Sequence, residues 1–311
     1  MLYNRYPNLF YNILDRGALC FFFFCFSLFW CAENVNLFFS TSICFFLILT
    51  TGISHGALDH IKGAKILKKL KIKNMLFFYT SYIMTSILVL LVWYFFPTLT
   101  LSIFLLVSAH HFGKEDSEIM VFKRSYFSSI IFLIKGSLVI IAPLFFQFNQ
   151  TIIILELLNF NIDFLSTVND EGIIEIIFYL SLLSNTYFLL ENSEHNYSFI
   201  VLDLLSINIL YYLLSPLVAF TLYFCFTHSF RHSISLISTL NKKNFKKGFK
   251  KFAIKAFPLT AMTATLFLIT VYFLKSYYTL DEAISQVIFI GLASLTFPHI
   301  LLEYLLEKNE K

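Results

Sequence analysis

Apolar residues run along this chain in long blocks separated by short polar segments. A helix needs roughly 20 apolar residues to cross a bilayer, within a range of about 17–25, and several blocks reach that length. They predict helices over about Gly17–Ala32, Leu37–His60, Leu76–Phe96, Leu99–Phe112 and Tyr126–Phe148. Further blocks predict Gly172–Leu190, Tyr197–Leu214, Pro216–Leu240, Phe257–Leu274 and Ala283–Leu302. An amphipathic start carrying Arg5 and Arg16 precedes the first block, and the absence of a clear cleavage site favours a retained helix over a secretory leader. Pro97 ends the third helix, Pro143 sits inside the fifth and Pro298 inside the last. Thr151–Leu165 is apolar but interrupted by Glu156 and Asp163, which suits an interfacial helix or lid. The expected fold class is all-α: a polytopic integral membrane helix bundle of about 8–10 transmembrane helices, with residues 1–311 forming a single integral membrane domain.

Composition agrees. The 311 residues are 58% hydrophobic and only 14% charged, against about 25% charged in soluble domains. Cys20, Cys25, Cys31, Cys44 and Cys225 all lie in apolar stretches without metal-finger spacing, so they read as small buried hydrophobes rather than a disulfide framework. A net charge of +4 is no nucleic-acid signature. Basic residues gather instead in two runs, Lys62–Lys73 and Lys242–Lys255, with none between Lys135 and Arg231. The positive-inside rule places both runs, and by counting back both termini, on the cytoplasmic side of the cell membrane.

Chemistry concentrates in the histidines. Thr227-His228-Ser229-Phe230-Arg231-His232 is a polar knot in a greasy helix. Residues four apart on a helix share a face, about 5–6 Å apart, so His228 and His232 offer two imidazoles to one point. Ionisable groups in such a place are costly and face a bundle interior or cavity. His55 and His60, His110 and His111, and His299 lie on three other helices that run in the same direction, at similar depth. His195 alone falls in a plainly solvated loop. Five residues advance a helix by about 140° beyond a full turn and one residue by about 100°. Each of the pairs His55/His60 and His110/His111 therefore supplies one ligand unless the helix breaks, giving four imidazoles with the eighth-helix pair. Gly52 and Gly56 flank His55 with a spacing that lets helices approach closely. Asp59, Glu115 and Asp116 stand beside the histidine motifs, where a carboxylate can take the second ring N–H of a ligating imidazole. Arg231 either snorkels or holds a carboxylate such as Asp59 or Asp116. Pro298 kinks the last helix next to His299.

Imidazole suits zinc, copper, iron and nickel, and nothing here matches His-Glu-x-x-His. Four neutral histidines would leave an iron ion two positions for oxygen and substrate, and a site deep in a bilayer suits an apolar substrate. Ser54-His55-Gly56-Ala57-Leu58-Asp59-His60, then Ser108-Ala109-His110-His111-Phe112-Gly113-Lys114-Glu115-Asp116, then His228-Ser229-Phe230-Arg231-His232, and finally Phe297-Pro298-His299 resemble the Brp/Blh family of bacterial and archaeal β-carotene 15,15′-dioxygenases. The resemblance implies an Fe(II) enzyme that uses O₂ to split the central double bond of β-carotene into two all-trans-retinal molecules, which would serve a microbial rhodopsin. Carried over by motif, the iron ligands and catalytic residues would be His55, His111, His228 and His232. Asp59, His60, His110, Asp116, Arg231 and His299 would stand behind them. Ser54 replaces the proline usual before the first histidine, which leaves the carotenoid and the cleaved bond open. Two other readings compete: a membrane di-iron hydroxylase or desaturase acting on a lipid, and a histidine-relay metal transporter.

Overall fold

The computed structural model describes residues 8–118, 127–191 and 197–310. Side chains at 8–11, 36–38, 55, 118, 188–191, 197–200 and 309–310 lie outside that description, as do Arg5 and His195 altogether. In chain order the helices are α1 (Asn8–Ser27), α2 (Ala32–Phe38), α3 (Thr41–Leu47), α4 (Asp59–Lys69) and α5 (Met75–Phe95). They continue as α6 (Pro97–Glu118), α7 (Ser128–Phe146), α8 (Phe148–Leu157), α9 (Asp163–Asp170) and α10 (Ile173–Glu191). The last five are α11 (Tyr197–Leu213), α12 (Pro216–Tyr223), α13 (Ser229–Leu240), α14 (Phe245–Leu274) and α15 (Leu280–Glu310). No strand occurs among the described residues. Six helical runs among them are long and apolar enough to cross a membrane, and three shorter apolar helices cover Phe148–Leu157, Ile173–Tyr187 and Val201–Leu213.

Local chemistry sets the boundaries. The Asn74 side chain accepts from the Leu76 amide at 2.9 Å to cap α5, and Asn244 accepts from Lys247 at 3.0 Å to cap α14. Thr279 and Glu282 form a reciprocal capping box at the start of α15, with Thr279 N–H donating to the carboxylate at 2.9 Å. Pro216 occupies the first turn of α12, where its missing N–H costs nothing. Several helices run further than their apolar blocks, α6 and α14 among them. α6 continues past Phe112 to Glu118, and α14 begins at Phe245 rather than Phe257, carrying Lys246 through Lys255. Lys and Glu are good helix formers, so a helix need not stop where its apolar band ends.

α15 is the central post, packing on α3, α4, α5, α6, α8 and α14. Over half of its apolar window is buried (56%), whereas α5 and α14 form outer walls with 6% and 11%. That outer surface carries many exposed Leu, Ile and Phe residues, as lipid-facing helices do. α6 and α7 make the closest pair, because Gly113 and Gly136 remove the side chains between them. A Cβ on Gly113 would lie 1.8 Å from the Phe132 carbonyl oxygen, and one on Gly136 equally close to that of Ala109. Gly113→Ala is therefore expected to force the helices apart and destabilise the protein by about 3 kcal/mol or more, the upper end for overpacking. Thermal unfolding in detergent would show it, and an unchanged midpoint would contradict this packing.

Two of the helical runs that carry histidine motifs are irregular. Between α3 and α4 the chain winds through a π-helical turn (Ile48–Gly52) and a 3₁₀ stretch (Ile53–Leu58). A second π turn, Phe224–His228, joins α12 to α13. The two meet: a Cβ on Gly52 would stand 2.8 Å from the Phe224 ring, and the Ser229 hydroxyl donates to the Gly52 carbonyl at 3.3 Å. Such bulges often mark functional sites.

Candidate metal centre

α6, α13 with the π turn before it, and α15 bring four imidazoles together. The His111 ring centroid lies 5.4 Å from that of His228 and 5.4 Å from that of His299, and His232 lies 5.8 Å from His299. All four residues are buried. Nitrogen atoms of His232 and His299 and a carboxylate oxygen of Glu303 lie within 4.8 Å of one another. His55 sits in the 3₁₀ stretch that packs beside α13 and α14, and its side chain lies outside the described set.

Carboxylates orient two of the rings. His232 Nδ1 meets Glu115 Oε2 at 2.6 Å, and His299 Nδ1 meets Asp59 Oδ2 at 2.8 Å. A carboxylate on Nδ1 keeps the proton there and leaves Nε2 as a lone-pair donor, the usual support of a ligating histidine. Asp59 is itself held by the Tyr82 hydroxyl, which donates at 3.0 Å. Aromatic rings position His228, with Phe112 edge-on at 4.7 Å and Phe224 nearly parallel at 5.8 Å. Gly56 leaves room beside His299, whose Nδ1 would be 4.0 Å from a Cβ there. On the opposite side Lys62 closes the cluster: its ammonium is 3.5 Å from His232 Nε2 and paired with Glu303.

The remaining expected residues fall around this group. His60 lines the cavity and donates Nδ1–H to the Ala57 carbonyl of its own turn at 3.0 Å. His110 points the other way, against Phe132 at 6.2 Å, as the 100° step from His111 requires. Arg231 does not hold Asp59, which is taken by His299. Its guanidinium forms a two-pronged pair with Asp203 on α11, one contact at 2.7 Å, and lies 3.7 Å from Asp116. Asp116 accepts from the Tyr223 hydroxyl at 3.1 Å, and buried Lys135 is close enough to interact electrostatically with both acids. Sequence reasoning passed over Asp203, although a lone carboxylate in the apolar run Tyr197–Leu213 was the signal for it. It also passed over Tyr82, Lys62 and Glu303, whose roles depend on helices far apart in sequence.

A cavity of about 630 Å³ opens from the imidazoles, His111, His228 and His299 among its walls, and is otherwise lined almost wholly by apolar side chains. That size and lining suit a bulky apolar ligand. Thr151, Ile154, Leu155 and Leu158 belong to this wall, so the first half of the segment expected as an interfacial helix or lid packs along the cavity.

The donor set fits a first-row transition metal. Imidazole nitrogens predominate, two of them backed by carboxylates, with no thiolate in the group. Comparisons with known proteins agree in kind. A family model described as "BCD: Beta-carotene 15,15'-dioxygenase" matches residues 46–307. A relative named "Beta-carotene 15,15'-dioxygenase", from uncultured marine bacterium 66A03, is 31% identical over 267 residues, which covers 82% of this chain and 90% of the relative. No solved structure matches the chain.

Proposed function

Since this chain belongs to the β-carotene 15,15′-dioxygenase family, we propose that it is a membrane enzyme that uses O₂ and Fe(II) to cleave the central double bond of β-carotene into two all-trans-retinal molecules. The observation that carries this reading is the imidazole cluster opening directly into a large apolar cavity. His111, His228 and His232 would hold the metal, with His55 by motif and His299 as a further imidazole of the same cluster. Bound there, iron would supply the redox chemistry that lets O₂ react with a polyene.

The chain's own residues do the rest. Glu115 and Asp59 keep the Nδ1 protons of His232 and His299 in place, leaving both Nε2 atoms as lone-pair donors. Phe112 and Phe224 fix the His228 ring and screen it from water. The apolar walls extract a carotenoid from lipid and align its chain with the helix axes. In the balanced reaction one C=C bond breaks, each carbon takes one atom of O₂, and two aldehydes result without another co-reactant. Retinal would then pass to a microbial rhodopsin. Both lysine runs, and with them both termini, would lie on the cytoplasmic side of the cell membrane.

The test is metal and product analysis together. Purified protein is expected to carry about one iron per chain and to yield retinal from β-carotene under air. An iron-loaded protein forming no apocarotenal from any carotenoid would overturn the proposal. Two irons per chain would favour a di-iron hydroxylase, and metal flux in sealed vesicles without O₂ consumption would favour a transporter.

A further inference from the structure

The cavity has a direction. Along α15 its wall runs from His299 back to Gln286, thirteen residues or about 20 Å of helix. Along α6 it runs from His111 back to Leu101, about 15 Å. The imidazoles therefore lie at one end of a groove that follows the helix axes.

The far end is shut. Leu155, Leu158, Tyr211 and Gln286 line it there, all at most 8% exposed. It is also braced, because the Gln286 side-chain amide donates to the Leu157 carbonyl at 3.2 Å and ties α15 to α8. The flank is different. Ile83, Ile87 and Leu90 on α5, and Met262 and Leu266 on α14, line the same cavity while being 43–56% exposed to the outside. The groove is thus closed at its tip and open sideways between α5 and α14.

An extended carbon chain advances about 1.2 Å per bond, so a C40 carotenoid with two end rings is about 30 Å long and each half about 15 Å. A groove of about 20 Å of helix holds one half of such a molecule and cannot hold both. We infer that the closed end is a length gauge: one end ring abuts Leu158 and its neighbours, and the distance from there to the imidazoles selects the bond that is cleaved. The other half continues the same stiff rod past the imidazoles and leaves at that end of the flank between α5 and α14. This inference rests on the proposed carotenoid cleavage and adds to it the residues that decide where the polyene is cut.

Product lengths from β-carotene test it. Wild-type protein gives two C20 aldehydes. Leu158→Trp shortens the groove by roughly one conjugated double bond, about 2.4 Å, so cleavage moves off centre. Most of the product is then an unequal pair of apocarotenoids, one shorter and one longer than C20 and together making forty carbons, the shorter a methyl ketone because the neighbouring double bond carries a methyl branch. Val287→Trp, from a buried position in the same wall, is expected to do likewise. If neither tryptophan variant folds, Leu158→Ala lengthens the groove and should also give unequal pairs. Folded, iron-loaded variants that form only C20 retinal, at whatever rate, would overturn the gauge. Wild-type protein that forms no apocarotenal would instead sink the carotenoid reading itself.

Discussion

His228→Ala is expected to remove metal binding and turnover together. The ring is buried, 5.4 Å from His111, and fixed between Phe112 and Phe224. Alanine keeps the helix but leaves no donor at that point, and neither neighbouring aromatic ring can replace one. Changing a group that merely supports a ligand costs 10–100-fold in metal affinity or activity, so losing the ligand should cost more than about 100-fold. Iron content after purification and retinal formation from β-carotene would measure this. A variant with normal iron and full turnover would remove His228 from the centre.

Arg231→Met is expected to have the largest effect on stability. Arg231 lies between His228 and His232 on the same helical stretch, and its guanidinium faces Asp203 and Asp116 in the interior. Methionine keeps much of the volume but removes the charge that both carboxylates face. Deleting one partner of a buried ion pair costs 3–5 kcal/mol, because the charge left behind is uncompensated. A large fall in the thermal midpoint in detergent, with a low yield of folded protein, is the expected result. The double variant Arg231→Met/Asp203→Asn should recover part of the loss, since it removes the stranded acid as well. If the single variant were as stable as wild type, Lys135 would have to be neutralising the acids on its own.

Much of this was legible in the sequence, and what was not has physical reasons. The helices follow from apolar blocks, and the meeting of one of His110 and His111 with the His228/His232 pair follows from shared depth and helical angle, the choice of His111 coming from the family motif. The irregular turns at Ile48–Gly52 and Phe224–His228 were not legible, because a π turn has no residue signature and depends on what packs against it, here Gly52 against Phe224. The break near His55 was foreseen only as a condition for His55 and His60 to share a centre. Arg231 could be seen to need a carboxylate, but choosing Asp203 over Asp59 requires the positions of α11 and α15. The role of Thr151–Leu165 was hidden for the same reason. An apolar segment too short to span reads alike whether it floats at an interface or walls a cavity.

The opening between α5 and α14 changes what concentration means for this protein. A carotenoid that arrives sideways never crosses water, so saturation is governed by its mole fraction among the surrounding amphiphiles and not by its molarity. Adding lipid or detergent at constant carotenoid and constant protein dilutes the substrate in two dimensions and slows turnover with the catalyst intact. Specific activities obtained at different lipid ratios would then differ for this reason alone, and comparisons between variants belong at a fixed ratio.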